Sequence, residues 1–162
     1  MKKSVLIILV VFLFPSVAVA SKQQVSPFSI KSSAFKGFDK CSVSRELSEV
    51  REKLFSNRKP TKIGTDSWMY AISGKIMGLP IKEIEFGTCG SDGSRDCGFA
   101  IYIALIIPKP LKETRDYLKK KTGIDFTKEV RDNEVSMTMR PALTTSNKNS
   151  KESVLYCDSG DL

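Results

Sequence analysis

The longest apolar run in the chain covers residues 5–14, after Lys2 and Lys3 and before Pro15. A helix that crosses a bilayer needs about 20 consecutive apolar residues, so this run is short for a span. It leads into Ala18-Val19-Ala20, a small-x-small sequence of the kind cut by signal peptidases. Residues 1–20 are therefore expected to be a secretory signal peptide, leaving a chain that starts at Ser21, has no membrane span after cleavage, and works in the periplasm or outside the cell.

Past the leader the pattern changes several times. Residues 21–40 are mostly polar, with Phe28, Ile30, Phe35 and Phe38 scattered at no clear period, and read as a loose arm. From Ser42 onward Val43, Leu47, Val50, Leu54 and Phe55 recur at helical spacing, with Arg45, Glu46, Glu49, Arg51 and Glu52 on the other side. This predicts an amphipathic helix capped by Ser42 or Ser44 and ended by residues 57–60. Between Asp66 and Cys89 the period falls to two. Trp68, Tyr70 and Ile72 alternate with Met69, Ala71 and Ser73, and Ile84, Phe86 and Thr88 share a face. Two strands follow from this, joined through residues 74–80, where Gly78 and Pro80 act as breakers.

Residues 99–107 are almost continuously apolar and rich in Ile, as expected for a central strand buried on both faces. Pro110 suits the first turn of a second helix that runs through Leu111, Tyr117 and Leu118 to a stop at Gly123. Val135, Met137 and Met139 alternate like a strand, residues 144–151 read as a polar loop, and residues 154–157 as a last short strand. The expected order is α-β-β-β-α-β-β. Residues 41–162 then form a single disulfide-stabilised α+β domain, a mainly antiparallel sheet of about five strands with two helices.

Composition narrows the function more than it identifies it. Removing residues 1–20 takes away two lysines and no acid, so the formal charge falls from +8 to +6 over 142 residues. A moderate positive excess favours anionic partners, such as an envelope polymer, without selecting one. The chain has no histidine. This excludes Ser-His-Asp and Cys-His catalysis within one subunit, and histidine-bound metals with it.

Cys41, Cys89, Cys97 and Cys157 all follow the leader, and an even set in an exported chain points to bridges. The turn-forming residues 90–96 bring Cys89 and Cys97 together, which leaves Cys41 for Cys157. The absence of CxxC spacing argues against zinc. Asp92, Ser94 and Asp96 alternate as in a calcium loop, but Cys97 stands where the glycine belongs and Ile103 where the closing glutamate belongs. No metal or other cofactor is therefore expected.

The polar residues left over supply candidate contacts. Asp92, Arg95 and Asp96 sit on the tethered loop, where pre-ordering lowers the entropy cost of binding. Lys112, Arg115 and Lys119 lie on neighbouring turns of the second helix and give it a positive side. Too few aromatics accompany them for nucleic acid, an unlikely partner for an exported chain in any case. Trp68 and Tyr70, by their alternation, belong to the core.

The expected function is that of a non-catalytic exported binding protein, an inhibitor or immunity-type protein acting on a protein partner such as a toxin or hydrolase. Two alternatives stay open. One is a structural component of an envelope assembly. The other is a polysaccharide hydrolase with paired carboxylates, for which Glu83, Glu85, Asp92 and Asp96 are the candidate acids. A concave site holding two carboxyls about 5–10 Å apart is what that hydrolase requires.

Overall fold

The computed structural model describes residues 26–88, 101–127, 141–147 and 149–159. The expected strand at Val135, Met137 and Met139 lies outside them, as do residues 1–20 and the proposed Cys89–Cys97 loop. Among the described residues the chain forms strand β1 (Phe28–Ser29), helix α1 (Arg45–Asn57), β2 (Lys62–Ile63), β3 (Ser67–Ile76), β4 (Leu79–Gly87), β5 (Ile101–Ile107), α2 (Leu111–Thr122), β6 (Ala142–Ser146) and β7 (Asn149–Ser159). Two 3-10 turns, Ser32–Phe35 and Phe38–Lys40, come before α1. The sheet runs β1-β3-β4-β5-β7-β6, with β2 also on β3. All pairs are antiparallel except β1 with β3. This is the α+β, mainly antiparallel architecture that the periodicities predict.

Each helix begins and ends for an identifiable reason. Ser44 caps α1 by accepting the Leu47 N–H at 3.1 Å and also donates to the Ala34 carbonyl at 2.6 Å, which ties the helix to the preceding turn. Leu47, Val50 and Leu54 are buried, and Phe55 stacks on Trp68 with centroids 5.3 Å apart. Pro110 precedes α2 and Gly123 ends it at φ 76°. Just beyond, the Thr127 hydroxyl holds the Asp125 carboxyl below its ordinary value of 3.8, with smaller help from the Thr127 N–H and the charges of Lys119 and Arg115 against partial desolvation.

Both helices lie on one side of the sheet. The core combines Leu47, Leu54 and Leu118 with Tyr70, Ile72, Ile84, Phe86, Ile103, Leu105, Leu155 and Cys157, the residues that alternate onto that side. As expected, β5 is central, and its residues 103–107 are all buried. Thr114 and Ser153, both fully buried, meet between α2 and β7, where the Ser153 hydroxyl donates to Thr114 Oγ1 at 2.8 Å. Thr114→Val alone strands the Ser153 hydroxyl and should cost about 1–3 kcal/mol in urea unfolding, whereas adding Ser153→Ala should restore most of it.

Three expectations need correction. First, the arm is not loose over residues 26–40: Ile30, Ala34, Phe35 and Phe38 are buried in the core, and the Ile30 N–H donates to the Ser73 carbonyl at 2.8 Å. Its apolar residues lack a period because the chain makes short 3-10 turns there. Second, residues 74–80 are not a loop. β3 and β4 continue to a tight turn at Met77 and Gly78, both with positive φ, the geometry of a primed hairpin turn. Gly74 is a site of close approach within β3, since a Cβ there would lie 2.8 Å from the Ile30 carbonyl oxygen. Pro80 occupies the end of β4 that β5 does not reach. Third, residues 144–151 are mostly strand: β6 and β7 pair from Ala142↔Tyr156 to Ser146↔Asn149. Thr144, Thr145, Asn149, Ser150 and Lys151 are exposed there and only Ser146 among the described polar residues of the segment is buried, so polarity does not interrupt the ladder.

Cys41 is bonded to Cys157, with Cα atoms 5.4 Å apart. The bridge joins the turn before α1 to β7, beside Ile103 of the central strand.

Candidate functional site

Alternation along five strands gives the sheet a second face, turned away from the helices. Registers fix its rows. Met69, Glu85, Ala104, Tyr156 and Ala142 line up across the sheet, and next to them run Ala71, Glu83, Ile106, Val154 and Thr144. Met69, Ala104 and Ile106 are buried yet stand apart from the main core cluster, so they form the floor of this face. Over it lies a concavity of about 620 Å³, bounded by Lys62, Lys82, Glu83, Glu85, Tyr102 and Tyr156, and on the β6–β7 side by Asn147, Asn149 and Glu152. That volume is in the range of sites that hold a small molecule or a short segment of another chain.

The charged groups of the concavity differ in how they are held. Lys82 Nζ pairs with Glu152 Oε1 at 2.6 Å, and Asn149 Nδ2 donates to the same oxygen at 3.0 Å. Glu85 Oε1 accepts the Ser67 hydroxyl at 2.5 Å. Glu83, half-buried between Ala71 and Ile106 in the row, has no hydrogen bond or ion pair among the described residues. The rings of Tyr102 and Tyr156 lie 6.2 Å apart at 41°. A rigid sheet thus presents an aromatic pair, an apolar floor and an unpaired carboxylate, an arrangement that suits recognition.

Of the residues singled out from sequence, Asp92, Arg95 and Asp96 lie outside the described residues, as do Cys89 and Cys97. Lys112, Arg115 and Lys119 are on α2, on the far side of the sheet from the concavity. Lys112 and Lys119 are exposed, while Arg115 is half-buried and spends its charge on Asp116 at 3.0 Å. The positive side is therefore partly balanced by its own acids, the more so because Lys109 pairs with Glu113 at 3.5 Å. Glu83 and Glu85 share a face on the inner strand β4, between β3 and β5. Trp68 and Tyr70 face the core, Tyr70 with 1% of its surface exposed.

The sequence reading missed Tyr102, Tyr156, Lys82 and Glu152. A signal was available for two of them: Glu152, Val154 and Tyr156 alternate with Ser153, Leu155 and Cys157 through the whole second half of β7. No protein-family model, curated protein or solved structure matches this chain.

Proposed function

We propose that the protein is an exported, non-catalytic binding protein of the inhibitor or immunity type, released from its leader after Ala20, that holds a protein partner against the open face of its sheet in the periplasm or outside the cell. The observation that carries this reading is the concavity. Among the described residues helices cover one face of the sheet, and the other presents aromatic, apolar and acidic groups on a backbone that five paired strands keep rigid. Rigid presentation lowers the ordering cost of association. The leader and the Cys41–Cys157 bridge both suit an oxidising compartment. The exposed Lys112 and Lys119 on the opposite side offer a second, weaker contact for an anionic polymer.

The test is capture. The chain from Ser21, bridge intact and tethered to a support, should retain from envelope and culture-supernatant fractions one protein that rebinds in purified form at about one to one. Retention of glycan alone, or of nothing, would overturn the reading.

One observation favours the hydrolase alternative: Glu83 and Glu85 both border the concavity, two residues apart on one strand, a spacing of about 7 Å. Catalytic acid pairs fall in that range but flank the scissile bond. These two rise side by side from one wall, and Glu85 is already engaged by Ser67. Sugar release from envelope polysaccharide that disappears in Glu83→Gln would put the hydrolase in place of the binding protein.

A further inference from the structure

We infer that the concavity receives a basic side chain, arginine or lysine, projecting from the protein partner; this rests on the binding reading above and names the chemistry of the contact. Glu83 is a half-buried residue at the middle of the sheet, flanked in the row by Ala71 and Ile106, and its carboxylate has no partner among the described residues. A partly desolvated charge next to apolar groups is unfavourable unless an opposite charge joins it.

The other charges of the site do not meet that need. Lys82 is committed to Glu152 at 2.6 Å, and Lys62 is an exposed residue on the short strand β2. The Ser67 hydroxyl relieves one oxygen of Glu85 and adds no positive charge. With Lys82 and Glu152 cancelled, Glu83 and Glu85 face Lys62 alone among the described charged residues that line the concavity. The concavity is thus locally negative in a chain whose formal charge is +8. Charge complementarity selects a cation.

The remaining groups fit the rest of such a side chain. Tyr102 and Tyr156 put aromatic surface beside the carboxylates, and aromatic rings attract guanidinium and ammonium groups. Ile106 and Val154 offer apolar surface to the methylene stem, which long basic side chains bury while their heads stay polar. About 620 Å³ exceeds one side chain and leaves room for the backbone on either side of it, so the occupant is a basic residue within a segment of partner.

The experiment is a titration of the isotopically labelled chain from Ser21 with a capped hexa-arginine peptide, followed by amide NMR shifts. Hexaglutamate and a neutral chitin hexasaccharide serve as comparison probes. The expected result is saturable hexa-arginine binding, weakened by salt, with shifts concentrated at residues 83–85, 102–106 and 154–156. Glu83→Gln, which keeps the side chain's shape, should weaken it about tenfold while the melting temperature of the free chain stays the same or rises. Glu49→Gln on the exposed side of α1 should bind like the unaltered chain. Equal affinity in Glu83→Gln, or shifts confined to other surfaces, would overturn the proposal, and saturable hexasaccharide binding in place of the peptide would make the site a glycan site. Capture of the same protein partner by the unaltered chain and by Glu83→Gln would remove the cation contact and leave the binding protein standing.

Discussion

Replacing both Cys41 and Cys157 with serine is expected to lower the stability of the folded chain by up to about 5 kcal/mol, from the loop-closure entropy of a bridge this long. The bond spans 116 positions of sequence, and both half-cystines are buried. Domains of this size are stable by about 5–15 kcal/mol, so the reduced or substituted chain should unfold at far lower urea. Urea unfolding with and without reductant reads the effect directly. A loss under about 1 kcal/mol would mean that the first turns remain fixed to β7 without the bond.

Phe38→Ala should cost about 3–5 kcal/mol, among the largest losses of any single substitution in the core. Phe38 has 1% of its surface exposed, meets Phe35 edge to face with centroids 6.4 Å apart, and its carbonyl oxygen touches Cys157 Sγ at 3.7 Å. Truncation empties a ring-sized space where the first segment, α1 and the sheet converge. Because Phe38 adjoins the bridge, its loss and that of the disulfide should not add, and the combined variant should fall short of the sum. Thermal and urea unfolding of Phe38→Ala check this, and a near-neutral result would mean that residues 26–40 do contribute nothing to the core.

Those two residues mark what the sequence conceals. Phe38 and Phe35 were visible as apolar residues, but no period organises them, because 3-10 turns repeat too briefly to leave one. Where an element is long and one-sided, the pattern suffices. The spacing from Leu47 to Leu54 predicts α1, and the apolar run up to Ile107 predicts the central strand. Breakers mislead when their role is local: Gly74 admits the Ile30 carbonyl, and Gly78 serves a two-residue turn, so neither ends a strand early. Thr144 and Thr145 mislead in the opposite direction, as polar residues that are compatible with a solvent-facing strand.

The site was legible only as fragments. Glu83 and Glu85 stood out as a same-face pair, but the meaning of that face depends on register with Tyr102 on β5 and Tyr156 on β7, more than 50 residues apart in sequence. Strand pairing over such distances is not written in any local window.

The central claim is that a partner docks on the open sheet face and not on the helix side. Its most direct test compares capture of the partner by three forms of the chain from Ser21: unaltered, Glu83→Lys with Thr144→Lys on the open face, and Lys112→Glu with Lys119→Glu on α2. All three should melt alike, since the altered positions are half-buried or exposed. The account predicts that the sheet-face variant loses the partner at least tenfold while the helix variant retains it. Loss in the helix variant with full retention in the sheet-face variant would contradict it.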